Sequence, residues 1–202
     1  EKTRQALLEA TYACLVEHGV AGTTTTTIVK RAGVSQGALF KHFESKHAIL
    51  AAATAEIFSA MVTESQALLA KRQREREGSA LEVGANVLVD LAHTDRLQVC
   101  LALYAASRTD PHLQEALKPA FAAQQANVRR SIRASLQGEL SAAALHSQAF
   151  SDFLDGLLLL MHGIASQAPL KPDEKGARRF LDALVQNAQA AFEAMGTADE
   201  NV

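Results

Sequence analysis

The chain of 202 residues is predicted to be all-α, on three observations. Apolar residues recur every three or four positions in nearly every segment, which is the spacing of one helix face. No stretch alternates apolar and polar residues convincingly, as a half-buried strand does. The segments are separated by Gly, Pro or a capping Ser or Thr, the residues that stop and start helices. With 48% of its residues hydrophobic, the chain can build a real core in one or two domains.

The first helix carries Leu7, Leu8, Thr11, Leu15 and Val16 on its apolar face. Gly19 closes it just past Glu17-His18, where a left-handed backbone is cheap only for Gly. Five threonines follow Gly22, from Thr23 to Thr27. Thr caps helices well and propagates them poorly, because its branched carbon is restrained against the preceding turn. A helix over 24–31 therefore has to be held by packing through Ile28 and Ala32, and a Thr-rich loop is the other reading. Gly33 closes that helix, Val34 tucks beneath it, and Ser35 caps the next, which runs to Phe43. There Leu39 and Phe43, four apart, face inward, while Gln36, Ala38, Lys41 and His42 face outward. Gly37 in the first turn costs about 0.5–1 kcal/mol relative to Ala. Close approach of the backbone to a partner would require it; simple tolerance is the alternative.

Two short helices joined by a sharp turn are how a chain sets a helix into the DNA major groove. Gln36 can pair twice with an adenine edge, Ala38 suits a thymine methyl, and Lys41 reaches guanine acceptors or a phosphate. Ser45 is placed to cap the following long helix. Lys46 then stands in its first turn beside unpaired backbone donors, a combination that suits a phosphate.

The segment from Arg4 to Leu50 resembles the N-terminal domain of TetR-family transcriptional regulators. The resemblance rests on Arg4, Leu7-Leu8, Ala10, Gly19, Thr24, Ile28, Ala32-Gly33-Val34-Ser35, Gly37, Leu39-Phe40, His42-Phe43, Ser45-Lys46 and Leu50, and covers a quarter of the chain. It implies a three-helix DNA-binding domain over 1–46, with the helix-turn-helix at about 24–43. A helical ligand-binding and dimerisation domain would follow over 47–202, about nine helices in all. DNA contacts carry over onto Thr25, Thr26, Gln36, Gly37, Ala38, Phe40, Lys41, His42 and Lys46. The family usually has Tyr where this chain has Phe40, whose ring keeps the packing and lacks the hydroxyl that binds a phosphate. The implied function is a ligand-responsive repressor that binds a palindromic operator as a homodimer and is released by a small, mostly hydrophobic effector. Activation in place of repression stays open. The alternative is an all-helical small-molecule binding protein or enzyme that does not read DNA.

The charge balance has the sign that DNA binding needs. Residues 1–50 hold six Lys and Arg against four Glu, a balance of +2, and the rest of the chain is at −4.

Beyond Ser45 a long helix is predicted to about residue 77, with Leu50, Ile57, Met61, Leu68 and Leu69 inward. Its basic end, Lys71, Arg72 and Arg74, suits the partial negative charge of a helix C-terminus. A second DNA contact there is the lesser reading, since about 30 helical residues carry that end about 45 Å away. Further helices are predicted over 80–93, 95–108, 111–137, 141–167 and 173–195, with Pro119 kinking the third of them. The fourth has a wide stripe of Phe150, Phe153, Leu154, Leu157, Leu158, Met161 and Ile164, extended by Leu159 and Leu160, so both its sides need cover. Paired with the last helix across a two-fold axis it would form a four-helix interface, through Phe150, Leu154, Leu158, Phe180, Leu184, Ala188 and Phe192. A buried central helix in a monomer is the other arrangement.

By resemblance the C-terminal domain should hold an effector pocket, coupled to the DNA head through the helix after Ser45. Candidate lining residues are Phe58, Met61, His93, Cys100, Leu103, Tyr104, Ser107, Phe121, Gln125, Phe153, Leu157 and Met161. The set is mostly apolar, which favours a hydrophobic or aromatic effector. Coupling of about 1–3 kcal/mol between the two sites would suffice.

Other chemistries find no support. His93, His112, His146 and His162 lack metal spacing, so neither metal nor cofactor is expected. No phosphate loop, nucleophile elbow or carboxylate pair marks an enzyme, and Asp152 and Asp155 read as the polar edge of a helix. Cys14 and Cys100 read as small buried hydrophobes. The apolar run Leu157 to Met161 is far too short to span a bilayer and no signal peptide is visible. No membrane partner and a cytoplasmic location are therefore expected. The chain opens at Glu1, which leaves room for a basic arm before it.

Overall fold

A computed structural model describes residues 1–75, 78–170 and 174–199, and among them every regular element is helical. The first helix, α1 (Lys2–Gly22), is broken at Gly19, whose φ of 66° and ψ of −176° only Gly tolerates. Leu7, Leu8, Thr11, Cys14 and Leu15 are buried. Buried Thr11 donates its hydroxyl to the Leu7 carbonyl at 2.7 Å, so its polar group is satisfied within the helix. Val16 is 45% exposed, contrary to the sequence reading; it lies about 100° round the cylinder from Leu15.

The threonine run begins α2 (Thr25–Ala32) and is not a loop. Thr24 Oγ1 accepts the Thr27 N–H at 3.1 Å and Thr27 Oγ1 accepts the Thr24 N–H at 2.8 Å, a capping box made from two threonines. The poor helix formers thus serve as the start signal. Gly33, at φ 67° and ψ 30°, closes α2, and Ser35 caps α3 (Gln36–His42) by accepting the Ala38 N–H at 3.2 Å. Next, α4 (Lys46–Glu75) starts where Ser45 Oγ accepts the Ala48 N–H at 3.0 Å. Residues 76 and 77, to which the sequence reading extended it, lie outside the described residues. All three starts use hydroxyl caps, and none of α2, α3 and α4 has an acidic residue in its first turn.

One core joins these four helices through Leu7, Leu8, Cys14, Ile28, Leu39, Phe43, Ile49 and Ala53. Ile28 and Leu39 are fully buried, and side chains of this kind contribute about 1.5–3 kcal/mol each on burial. The Arg4 guanidinium lies over the Phe43 ring at 5.6 Å.

The remaining elements are α5 (Ala80–Ala92), α6 (Asp95–Ser107), α7 (Pro111–Ser135), α8 (Ala142–His146), α9 (Gln148–Gln167), a 3-10 turn (Ala168–Leu170) and α10 (Glu174–Asp199). The chain divides into two compact units, one of Glu1–Met61 with Asp95–Gln125, the other of Val62–Thr94 with Ala126 onward. In the first unit α6 packs on α1, with the Arg96 guanidinium 6.0 Å from the Tyr12 ring. In the second, α5 packs against α9 and α10 and is apolar nearly all round, with Leu81, Val83, Ala85, Val87, Val89 and Leu91 buried. Asp90 of α5 receives Arg72 of α4 and, at 3.1 Å, Arg178 of α10. By length and composition α4 and α9 could each cross a bilayer, but both place their apolar stripes in the cores described here.

Two expectations for this unit need correction. The helix predicted over 141–167 is two helices, because Ser147 is extended (φ −69°, ψ 155°) and caps α9 through the Phe150 N–H at 3.0 Å. The described helices therefore number ten rather than about nine. Secondly, Phe150, Leu154 and Phe192 are buried within the unit, at 0%, 1% and 3% exposure, so they have no surface left for a second chain. The spacing of Phe150, Leu154, Leu157, Met161 and Ile164 is a single stripe, and it faces the unit's own core. What α9 and α10 leave open is Leu159 and Phe180, 71% and 58% exposed, with Leu158, Leu184 and Ala188 half-buried.

Candidate nucleic-acid interface

The outward side of α3 is built by what its inward side buries. Leu39 and Phe43 fix the helix on the core, and that places Gln36, Gly37, Phe40, Lys41 and His42 in solvent, with Ala38 half-buried. The spacing sets two ridges, Gln36 beside Phe40 and Gly37 beside Lys41, each pair four apart.

The structure ties this surface to its neighbours in ways that no local pattern shows. Gln36 Nε2 donates to Thr25 Oγ1 at 3.2 Å, which aligns the start of α3 with the start of α2. Thr25 is half-buried and Thr26 exposed. Lys46 is half-buried, and its Nζ donates to the Val20 carbonyl at 3.5 Å, beside the kinked end of α1. Arg31 at the end of α2 pairs with Glu17 of α1 at 2.5 Å. That hydrogen bond, and then the guanidinium's charge, hold the Glu17 carboxyl below the ordinary glutamate range.

Gly37 has no neighbour among the described residues that would forbid a side chain. A Cβ built there meets only Ser35 Oγ, at 3.8 Å, and its backbone is ordinary helix. The fold alone therefore gives no reason for Gly at this exposed position. Phe40, 50% exposed, offers an apolar ring with no hydrogen-bonding group.

The residues predicted to line a pocket fall in both units. In the first, Phe121 meets Phe58 edge-on at 5.0 Å and Tyr104 at 5.9 Å, an aromatic group on α4, α6 and α7. Met61 and Cys100 are buried beside hardly any solvent, and Leu103 has no surface that water reaches, so Leu103 packs in the core and lines no open cavity. Burial pushes the Cys100 thiol up to about 12. Ser107 donates its hydroxyl to the Tyr104 carbonyl at 2.8 Å, while Tyr104 and Gln125 are exposed. His93, Phe153, Leu157 and Met161 belong to the second unit, where Phe153 stacks edge-on against Phe192 at 5.7 Å and His93 is exposed. Among the described residues no group of three His, Cys, Asp or Glu is placed to hold a metal ion.

A family profile described as bacterial regulatory proteins of the tetR family matches residues 7–53. An HTH-type transcriptional regulator of Mycobacterium tuberculosis is 32% identical over 134 residues, 66% of this chain and 68% of its own. The HTH-type transcriptional repressor AcnR of Corynebacterium efficiens is 31% identical over 112 residues, 55% of this chain and 54% of its own. The fold is shared with a TetR-family regulator from Mesorhizobium loti, at a TM-score of 0.67 and 17% identity over 94% of this chain and 96% of that one. It is shared too with the multidrug binding protein EbrR, solved with imidazole, at a TM-score of 0.55 and 22% identity over 90% of this chain and 93% of that one.

Proposed function

The chain belongs to the TetR family of helix-turn-helix transcriptional regulators, and from that premise we propose that it is a repressor which grips a palindromic operator as a homodimer and lets go when a small hydrophobic effector binds. Like its relatives it is a regulator and not an enzyme. One observation supports the DNA half of the reading above all. The inward residues of α3 are sealed while Gln36, Gly37, Lys41 and His42 stand open, with Gln36 oriented by Thr25. In this reading residues 1–46 form the DNA-reading domain and 47–202 the sensing and pairing domain, working in the cytoplasm. Gln36 and Ala38 read base edges, and Thr25, Thr26, Lys41, His42 and Lys46 hold the backbone. Phe40 adds an apolar contact with sugar or a thymine methyl.

The repressor sign follows AcnR, a repressor by name. For the effector, the Phe58, Tyr104 and Phe121 group supports a hydrophobic or aromatic molecule, and EbrR, which shares the fold, is a multidrug binding protein solved with imidazole. Dimerisation uses the open sides of α9 and α10, Leu158, Leu159, Phe180, Leu184 and Ala188.

The experiment is selection of a duplex from a random pool, then anisotropy titrations at rising salt. A palindromic consensus, a steep loss of affinity with salt and a selective loss in Gln36→Ala are expected. Equal affinity for every duplex would refute it. Sedimentation of Phe180→Glu checks the pairing; this variant is expected to run as a monomer.

A further inference from the structure

Within the first unit α4 and α7 meet at two places, eleven residues apart on each helix. His47 Nε2 lies 3.1 Å from Asp110 Oδ2, and Phe58 meets Phe121 edge-on at 5.0 Å. Eleven residues are three helical turns, about 16 Å. The start of α7 therefore lies on the first turn of α4, and its aromatic end three turns further along, with both chains running the same way. That first turn carries Lys46, whose ammonium rests on the Val20 carbonyl.

Asp110 is fixed by α7 itself. Its Oδ1 accepts the Leu113 N–H at 3.0 Å and its backbone carbonyl accepts the Gln114 N–H at 2.9 Å, so it is the helix cap. The Leu113 bond, with the His47 hydrogen bond behind it, holds the Asp110 carboxyl below the ordinary aspartate range, so the acceptor is ionised at neutral pH. On α7 the His112 ring lies 6.0 Å from that of His47. The pair is 32% and 40% exposed, where solvent screening leaves an ion pair contributing little to stability. Stability is thus a poor reason for it, and position is a better one.

We propose that His47 and Asp110 are positioning residues for operator binding: the N-terminus of α7 holds the first turn of α4, and with it Lys46, in the DNA-reading arrangement, and the aromatic end of α7 sets whether that hold is kept. The proposal rests on the DNA-reading function above and names the link by which the sensing side reaches Lys46. Pro119 interrupts the hydrogen-bond ladder of α7 two residues before Phe121, so a change at Phe121 reaches Asp110 through the two turns of helix that precede that break.

Asp110→Ser isolates the role. Serine caps a helix about as well as aspartate, but its hydroxyl is too short to reach His47, so the cap stays and the hold goes. Asp110→Ser and His47→Ala are each expected to weaken binding of the selected duplex about 5-fold or more. Their melting temperatures should stay within about 3 °C of the parent. The double variant should lose no more than either single one. Phe121→Leu should change affinity in the parent and leave it unchanged in Asp110→Ser. Amide hydrogen exchange of residues 48–52, measured without DNA, should quicken in both single variants. Unaltered exchange, or losses that add in the double variant, overturns the proposal. Failure of the parent to select any duplex overturns the function instead, and exchange still decides the pair.

Discussion

Gly37→Ala separates folding from DNA binding in one substitution. In the first turn of α3 the added methyl meets only Ser35 Oγ at 3.8 Å, so nothing in the chain has to move. The stability gain is then the propensity difference, about 0.5–1 kcal/mol, taken toward the lower end because the site is near a helix terminus. For a chain of this size that raises the melting temperature by about 1–4 °C. DNA affinity should go the other way. Where backbone and base edges are in contact, an extra methyl costs about 1–3 kcal/mol, as overpacking does elsewhere. At 1.4 kcal/mol per tenfold, the loss is about tenfold for each half-site and larger for a dimer that uses two. Calorimetry or circular dichroism reads the first effect and fluorescence anisotropy on the selected duplex the second. A variant that melts higher and binds unchanged would show that Gly37 is simply tolerated. A variant that melts lower would refute the reading of the helix itself.

Leu39 has no exposed surface, so Leu39→Ala should cost about 2–5 kcal/mol in denaturant titrations; a loss below about 1 kcal/mol would mean α3 is not held by the four-helix core. The Glu17 carboxyl has a folded pKa below its unfolded one, so the Arg31 pair stabilises at neutral pH and that part is lost as pH falls through the lower value. Both side chains are exposed, so the effect is small: Glu17→Gln should melt slightly below the parent at pH 7 and converge with it in acid. With the Cys100 thiol pushed up to about 12 and Cys14 buried, neither cysteine should react with an aromatic disulfide reagent at pH 8 until the protein unfolds, when both should.

The N-terminal quarter was legible because its signals are local. Gly19 and Gly33 stop helices where the backbone turns left-handed, Ser35 and Ser45 start them, and the four-residue step from Leu39 to Phe43 names the buried side. The Thr24–Thr27 box was hidden because threonine there looks like a poor helix former, although its hydroxyl does what Glu or Gln usually does. The second unit misled for a different reason. Four consecutive leucines, Leu157 to Leu160, read as a helix that needs cover on both sides, whereas the Phe150-to-Ile164 repeat already defined one face. The near-total apolarity of α5 pointed to the central helix of that unit, and the break at Ser147 followed from a capping serine overlooked within a long periodic run. Contacts such as Gln36 with Thr25 or His47 with Asp110 join residues 11 and 63 apart, and a single sequence carries no trace of them.

The hydroxyl caps of the head have an electrical consequence. An aspartate at Thr24, Ser35 or Ser45 would serve equally well as a hydrogen-bond acceptor, yet it would cancel the fractional positive pole at the head of its helix. With Thr and Ser there instead, and no carboxylate in the following turn, those poles stay unneutralised. A domain whose formal surplus is two charges can then present a polyelectrolyte with a stronger field than its lysines and arginines suggest, while α5 and α6, with Glu82 and Asp95 in their first turns, do not.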